Sequence, residues 1–315
     1  MKQLKHKKMM KWAKRIFVVL VVIFLIRYFY LNIDDYKSLE IMPDIRVFGI
    51  SVLFYFVYKL MLASLWHYLT WLNGAAIPYP DAVTAYLCSI LGKYIPGKVF
   101  MLLARIPAYE ECGVKVSRVT ICFLLENICT LLGAAFLFLI SLFFFPNDLM
   151  DQYKWIAFLL VVCFFICIHP AIINFFLRLL ERLTKKQSLQ IPMKYRKMLQ
   201  VVLLFIMNWV VLGMGMYMLT VSIYPVPFEQ FLYVSGIYGL SRIIGILAVF
   251  APSGIGVSEG ILLVGLNFIM PEEYAVIISI ISRLWVTVAE LTLVGIAYAV
   301  KGISRRKNIR KEKWK

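Results

Sequence analysis

Six stretches of the chain are each long and apolar enough to cross a lipid bilayer as a helix, which takes about 20 residues. Apolar residues make up 62% of the 315 residues and charged residues only 16%. A soluble domain is about 45–50% apolar and about 25% charged. Disorder, collagen and coiled coil are excluded as well, so the sequence predicts an all-α polytopic membrane protein. The six predicted spans are residues 16–33, 47–72, 118–145, 155–179, 198–222 and 274–300.

The net charge of +17 is concentrated in three short blocks beside apolar stretches. Residues 1–15 carry seven Lys or Arg and no acid, while residues 178–197 carry seven and residues 301–315 eight, each against one Glu. Because Lys and Arg accumulate on the cytoplasmic side, we expect a plasma-membrane protein with both termini in the cytoplasm. The blocks also attract anionic lipids. Nucleic acid is not expected as a partner, because no soluble module carries the charge.

Two further apolar segments, residues 80–112 and 227–271, are each interrupted in the middle by proline and glycine. Each half is too short to span the bilayer comfortably, so we interpret each segment as a re-entrant hairpin that enters and leaves on one side. Two full crossings per segment would also return the chain to its starting side, and charge does not separate these alternatives. The residues at the breaks are Tyr94, Pro96, Gly97, Pro252, Gly254 and Gly256.

The order of spans and hairpins occurs twice, with opposite orientation. Pro96 precedes Glu126 by 30 residues, and Pro252 precedes Arg283 by 31. Inverted repeats with broken helices are common in transporters, whose binding sites lie at the repeat interface. The fold prediction is therefore six transmembrane helices plus two re-entrant broken-helix hairpins in an inverted repeat. The predicted organisation is a basic cytoplasmic N-terminus (1–15), one membrane domain (16–300, with halves of about 16–145 and 155–300) and a basic cytoplasmic tail (301–315).

Several ionisable residues lie inside the apolar segments, where a charge at mid-helix costs at least about 2.5–3.5 kcal/mol. One interpretation is mutual pairing, of Glu126 with Lys98 or Arg105, and of Glu259 with Arg242 or Arg283. The other is a polar cavity for a lipid headgroup, in which Lys98 and Arg105 bind phosphate and helix N-termini at the breaks add donors. Both can hold together. The candidate headgroup-binding residues are Lys98, Arg105, Glu126, Arg242, Glu259, Arg283 and Glu290.

Motifs for cofactor binding and catalysis are missing from the sequence. It contains no GxSxG, Walker A or Rossmann fingerprint, and its six cysteines form no CxxC pair. We therefore expect no metal site and no cofactor.

The sequences at the two breaks resemble signatures of a known family. LGKYIPGKVFMLLAR, at 91–105, resembles "GRYLPGKVW…R", and APSGIGVSEGILL, at 251–263, resembles "P-G-G-L-G-V-R-E-G". Both signatures belong to the lysylphosphatidylglycerol synthase transmembrane-region family, also called flippase-like domain proteins. The Glu126 helix is similar to that family's "ER" helix, but Asn127 replaces the Arg, and Ser253 and Ser258 replace the usual Gly and Arg. The resemblance covers roughly residues 10–300.

The resemblance implies a flippase-like protein that translocates or binds a phospholipid or glycolipid, aminoacyl-phosphatidylglycerol included. In full-length relatives this region moves that lipid to the outer leaflet, and a separate soluble domain synthesises it. This chain ends 15 residues after the last predicted span, so we expect no synthase domain and no enzymatic activity.

Two alternatives to lipid translocation stay open. One is a membrane glycosyltransferase that uses a polyprenyl-linked sugar, with Asp34 and Asp35 as its acidic pair in the first outer loop. The other is a non-catalytic scaffold in an envelope lipid or polysaccharide pathway, partnered by biosynthetic enzymes.

Overall fold

The computed structural model describes residues 43–94, 99–144, 154–167, 194–248 and 254–312, together with 169–172, 174–175 and 178. Over these residues the structure consists of helices joined by turns and loops, without a strand, and short 3-10 helices at Ile90–Tyr94, Leu142–Phe144 and Phe228–Gln230 adjoin the longer helices. The α-helices are α1 (Ile45–Leu72), α2 (Tyr79–Ser89), α3 (Val99–Glu110), α4 (Val116–Ser141), α5 (Lys154–Cys167), α6 (Tyr195–Val221), α7 (Phe231–Leu247), α8 (Val257–Leu266) and α9 (Glu272–Glu312).

Within the described residues, five helices are long and apolar enough to cross a membrane. Four of them, Ile45–Leu72, Val116–Ser141, Tyr195–Val221 and Glu272–Val300, coincide with predicted spans. The predicted span 16–33 lies outside the described residues, and that at 155–179 is described continuously only as α5.

The fifth candidate span, Phe228–Leu247, is the first arm of the second predicted hairpin. The expectation that each half of this segment is too short to span is wrong for this arm. The helix continues through its glycines, which allow neighbouring helices to approach closely: Gly236 packs against Ser141, Gly239 against Ala134 and Gly245 against Ser258.

The outward faces of the long helices are apolar. Leu53 on α1, Met207 on α6 and Leu291 on α9 are all exposed. Helices of a soluble bundle present polar residues on this face. Exposed apolar faces on several long helices fit surroundings of lipid tails rather than water.

Helices α1 and α6 pack against each other and run antiparallel. The backbone N–H of Asp44, at the start of α1, donates to the carbonyl of Ser222, just after α6, over 2.8 Å. Further along, Gly215 lies against the Ser51 carbonyl. The start of α1 and the end of α6 therefore lie at the same end of the bundle.

The first hairpin consists of α2 and α3; it starts beside the end of α1 and finishes beside the start of α4. At that end the Arg118 guanidinium of α4 donates to the Gly74 carbonyl over 2.7 Å. The Trp66 and Tyr109 rings, from α1 and α3, lie 5.9 Å apart. This hairpin therefore returns to the end of the bundle from which it starts.

The second hairpin consists of α7 and α8; it starts beside the end of α6 and finishes beside the start of α9. The Tyr233 hydroxyl near the start of α7 donates to the Gly265 carbonyl near the end of α8, over 2.6 Å. The Tyr224 and Tyr274 rings join the chain after α6 to the first turn of α9, 4.8 Å apart. Since α1 and α6 are antiparallel, the two hairpins enter the bundle from opposite ends.

Helix contacts repeat between the two halves. Helix α4 packs on α7 as α9 packs on α2, and α3 packs on α4 as α8 packs on α9. The α1–α6 contact joins equivalent helices. Each of these contacts in one half therefore has a counterpart in the other half.

Candidate functional site

A buried carboxylate lies where α1, α9 and the turn after α2 meet. Oε1 of Glu290 lies 2.8 Å from Lys59 Nζ and accepts a hydrogen bond from the Tyr55 hydroxyl over 2.9 Å. Its Oε2 lies 2.5 Å from Lys93 Nζ. Glu290 is 1% exposed. We call Tyr55, Lys59, Lys93 and Glu290 the central cluster; its formal charges leave +1.

The central cluster draws on both halves of the chain and on the first hairpin, and Arg242 of the second hairpin lies near it. Lys59 lies near the middle of α1, and Lys93 lies in the turn that ends the first arm of the first hairpin. Arg242, near the inner end of α7, is within electrostatic range of Glu290 and Tyr55. The two hairpins thus bring cations toward one carboxylate from opposite ends of the bundle.

A second charged group is the first pair, Arg105 of α3 and Glu126 of α4. Arg105 Nη1 lies 2.5 Å from Glu126 Oε2, and Nε donates to the Ser89 hydroxyl over 2.9 Å. The guanidinium carbon lies 4.2 Å from the Trp66 ring centroid and 4.3 Å from that of Tyr86. Arg105 is fully buried, so this pair fastens the first hairpin to α4 and leaves no open face on the cation.

The second pair is Glu259 of α8 and Arg283 of α9. Arg283 Nη1 lies 3.7 Å from Glu259 Oε1, and Glu259 Oε2 accepts the Gly256 N–H over 2.7 Å. Gly254 and Gly256 have φ of +70° and +84°, a left-handed region that favours glycine and lets the chain turn tightly into α8. The Gly256 N–H at the N-terminus of α8 therefore donates to the Glu259 carboxylate. This N–H is one of the donors expected from the sequence to bind a phosphate.

A small polar cavity lies beside the second pair. Its volume is about 10 Å³, the space of about one water molecule. Arg242 lines it and forms no ion pair or hydrogen bond within the described part of the chain. In this conformation the cavity is too small for a lipid headgroup. The lining residues are Tyr238, Ser241, Arg242, Ser258, Glu259, Leu262, Ser282 and Arg283.

The predicted site residues fall into separate groups rather than one. Of the partners considered, Arg105 is found beside Glu126 and Arg283 beside Glu259. Arg242 shares the cavity with the second pair, and Glu290 belongs to the central cluster. The residues Asp34, Asp35, Pro96, Gly97, Lys98 and Pro252, and the side chain of Tyr94, lie outside the described part.

Two cations of the central cluster were not among the candidate site residues: Lys59 was missed, and Lys93 was noted at the first break but not selected. Lys59 lies inside the apolar run FYFVYKLMLA of a predicted span, so the rule on charges within apolar segments was sufficient to find it. Lys93 lies beside the first break. Lys93 could be recognised as a partner of Glu290 only from the packing of that turn against α9, which the sequence does not show.

In the described part of the bundle, the interior holds more cations than carboxylates. Among residues whose burial the structure describes, eight charged side chains are buried or half-buried, and all belong to the groups above. Five are cations and three are carboxylates, which leaves +2. The cations are Lys59, Lys93, Arg105, Arg242 and Arg283, and the carboxylates are Glu126, Glu259 and Glu290.

Comparison with known families gives one match. Residues 13–295 match the model of the family described as the lysylphosphatidylglycerol synthase TM region. The match spans both hairpins and all three charged groups. Among curated proteins, no match to the chain is found.

Proposed function

The chain belongs to the lysylphosphatidylglycerol synthase transmembrane-region family, and from this premise we propose that it binds a phosphate-bearing lipid headgroup in its charged interior and moves it across the bilayer. The observation that carries the proposal is the excess of five buried or half-buried cations over three carboxylates among the described residues. Uncompensated charge is costly in a low-dielectric interior. A headgroup phosphate supplies the missing negative charge.

The proposed topology is six spans and two re-entrant hairpins in the plasma membrane, with both termini cytoplasmic. Each hairpin begins and ends at one end of the bundle, and the two hairpins start from opposite ends. The 10-residue α8 is about 15 Å long, half of the roughly 30 Å hydrocarbon core. The basic N-terminus and tail set the orientation.

The proposed route for the headgroup runs between the hairpins. The central cluster lies at the interface of the two halves, where transporters with inverted repeats bind their substrates. The acyl chains stay in the bilayer, along the exposed apolar faces of the long helices. Because the cavity holds about one water, the second hairpin and α9, which line it, have to separate before a headgroup enters.

We also propose that this chain is not a lysyltransferase. The carboxylates of the three charged groups each lie beside a cation, which makes them weak general bases for acyl transfer. Radiolabelled lysyl transfer from tRNA to phosphatidylglycerol by the purified protein tests this, and we expect no labelled lipid. Product formation above a blank membrane extract contradicts the proposal.

Leaflet exchange of fluorescent phospholipids in proteoliposomes tests translocation directly. Dithionite quenches only the outer leaflet, so quenching beyond the outer-leaflet fraction reports exchange. We expect exchange with the wild-type chain and its loss in Glu259→Gln and Lys59→Met. A matched control is Arg196→Gln, which removes an exposed charge at the start of α6. The absence of exchange for every lipid offered contradicts translocation and favours the scaffold alternative.

A further inference from the structure

We propose that Glu290 occupies a phosphate site in this conformation, and that a phosphate-bearing lipid displaces it from Lys59 and Lys93. The proposal deepens the proposed function and rests on it, because it names the residues that receive the headgroup and the contacts that keep their site closed. It concerns the phosphate group, which phosphatidylglycerol, its lysylated form and polyprenyl phosphates all carry.

The donors around Glu290 form a site for two oxygen atoms that share one negative charge. Lys59 Nζ and the Tyr55 hydroxyl meet Oε1 at 2.8 Å and 2.9 Å. Lys93 Nζ meets Oε2 at 2.5 Å. A phosphodiester also has two non-bridging oxygens that share one negative charge. The same three donors can therefore bind a phosphate through charge-assisted hydrogen bonds once the carboxylate has left.

The two lysines are better able to change partner than the arginine of the first pair. The side chains of Lys59 and Lys93 are 11% and 13% exposed, whereas that of Arg105 is fully buried. Arg105 also donates to Ser89 and lies over the Trp66 ring. A lysine ammonium is a point charge on a flexible four-carbon chain, so its donors turn readily toward a new acceptor.

The ion pairs of Glu290 join the two halves of the chain. Lys93 lies in the turn of the first hairpin, Lys59 near the middle of α1 and Glu290 on α9. When a phosphate replaces the carboxylate, both lysines keep an anionic partner but lose their contact with α9. A contact that the substrate replaces by its own binding is a two-state element, which links binding to a change of conformation.

Arg242 of α7 gives the displaced carboxylate a second cation. Its guanidinium lies within electrostatic range of Glu290, and it forms no ion pair or hydrogen bond with the described residues. A carboxylate left without a partner in the interior is costly, so displacement requires a new one. In the proposed exchange, Glu290 pairs with Lys93 of the first hairpin when the site is empty and with Arg242 of the second when it holds a phosphate.

Lipid affinity of Glu290 variants tests the proposal, because a competing carboxylate and a purely structural one predict opposite signs. The full-length protein in an uncharged detergent is titrated with dioctanoyl phosphatidylglycerol. Binding is followed by tryptophan fluorescence, since the Trp285 ring lies 4.8 Å from that of Tyr55. We expect Glu290→Gln to bind about tenfold more tightly than the wild type, because closed sites lower the apparent affinity. Lys59→Met and Lys93→Met are expected to lose most of the affinity.

Glu290→Asp keeps the test decisive if Glu290→Gln does not fold. Its carboxylate is one methylene shorter and competes less well for both lysines, so we expect an intermediate gain in affinity. Glu273→Gln removes an exposed carboxylate in the first turn of α9 and should leave the affinity unchanged. Dioctanoylglycerol, which has the same acyl chains without a phosphate, should bind the wild type and the variants alike.

Parallel titrations distinguish the sources of the phosphate. They use dioctanoyl phosphatidylglycerol, its lysylated form, a short-chain polyprenyl phosphate and inorganic phosphate. The gain in Glu290→Gln is expected for each lipid that uses the site, and the lipid with the largest gain identifies the carrier. A gain with inorganic phosphate alone would mean that the site binds the free anion, and it overturns the displacement by a lipid.

Equal or weaker binding of every phosphate-bearing lipid by both Glu290 variants overturns the proposal. Leaflet exchange in proteoliposomes is a separate result. If the variants bind lipid more tightly but the wild type exchanges none, the phosphate site stands and the transport proposal fails. If the wild type exchanges lipid but the variants gain no affinity, transport stands and the assignment of the site fails.

Discussion

Lys93, in the turn that ends the first arm of the first hairpin, forms an ion pair with Glu290 on α9, with 2.5 Å between Nζ and Oε2. The pair joins the first half of the chain to the last long helix. Lys59 from α1 meets the same carboxylate, so removing Glu290 leaves two buried or half-buried lysines without their shared counter-ion.

Replacing Glu290 with Gln is therefore expected to destabilise the fold. Breaking a buried ion pair from one side costs about 3–5 kcal/mol, because the remaining charges stay in the interior. The measurement is the midpoint of thermal unfolding in detergent, followed by tryptophan fluorescence. Glu273→Gln, an exposed carboxylate in the first turn of α9, is the matched control and is expected to change little. An unchanged midpoint for Glu290→Gln would show that the central cluster does not stabilise the bundle.

The lengths of most long helices could be predicted from the sequence, but the partners of their charges only in part: Arg105 and Arg283 were among the partners offered for Glu126 and Glu259, whereas no partner was predicted for Glu290. Apolar length alone predicted four of the five described candidate spans within a few residues. Arg283 and Glu290 lie seven residues apart on one face of α9, about 10 Å along its axis. Because of this distance, Arg283 lies beside Glu259 of α8, whereas Glu290 lies beside Lys59 of α1. Which helix packs against each position of α9 cannot be read from the sequence.

In each half of the chain, a pair joins the second arm of the hairpin to the helix that follows it, but the cation and the carboxylate are exchanged between the two halves. In the first pair the hairpin supplies the cation, Arg105, and the following helix the carboxylate, Glu126. In the second pair the hairpin supplies Glu259 and the following helix Arg283. The second half therefore shows that the opposite assignment of charges is compatible with this arrangement of helices.

Exchanging the first pair should be tolerated better than breaking it. Arg105→Glu and Glu126→Arg each place two like charges together and are expected to abolish the folded, monodisperse protein. The double variant restores an ion pair and is expected to recover part of the yield and thermal stability, measured by fluorescence-detected size-exclusion chromatography. Full recovery is not expected, because Arg105 also donates to Ser89 and lies between aromatic rings. A double variant as poor as the singles would contradict the exchange.

The tight turn before α8 predicts that replacing its glycine with alanine lowers the stability of the protein. Gly254 has φ of +70°, and a Cβ there would lie 2.7 Å from the Gly245 carbonyl oxygen. Gly254→Ala is therefore expected to lower thermal stability by more than the usual cost of backbone strain, about 1–3 kcal/mol. Gly260→Ala, inside α8 with nothing within 4 Å, is the control; it should be neutral or stabilising by up to about 1 kcal/mol. Equal effects of the two variants would argue against the tight turn.

Substitution of Asp34 and Asp35, predicted to lie in the first outer loop, tests the glycosyltransferase alternative. Asp34→Asn and Asp35→Asn, alone and together, are expected to leave leaflet exchange unchanged, because translocation is proposed to depend on the interior cations. A glycosyltransferase that uses these carboxylates would lose its activity in the same variants. The measurement is lipid exchange alongside transfer from a polyprenyl-linked sugar, with Arg242→Gln as the variant expected to have the opposite pattern.

If the two hairpins enter the membrane from opposite sides, cysteines placed at the end of each hairpin should be labelled from opposite sides of the membrane. Cys112, just after α3, is exposed at the end of the first hairpin, and Glu272 is exposed after the second. In a background without the other cysteines, Cys112 should react with a membrane-impermeant maleimide only from the cytoplasmic side. In a chain without Cys112, Glu272→Cys should react only from outside. The measurement compares intact cells with inside-out vesicles, and permeabilised membranes give full labelling of both. Labelling of the two positions from one side would mean an even number of crossings between them, which contradicts three spans plus a re-entrant second hairpin, and it would remove the proposed inverted topology.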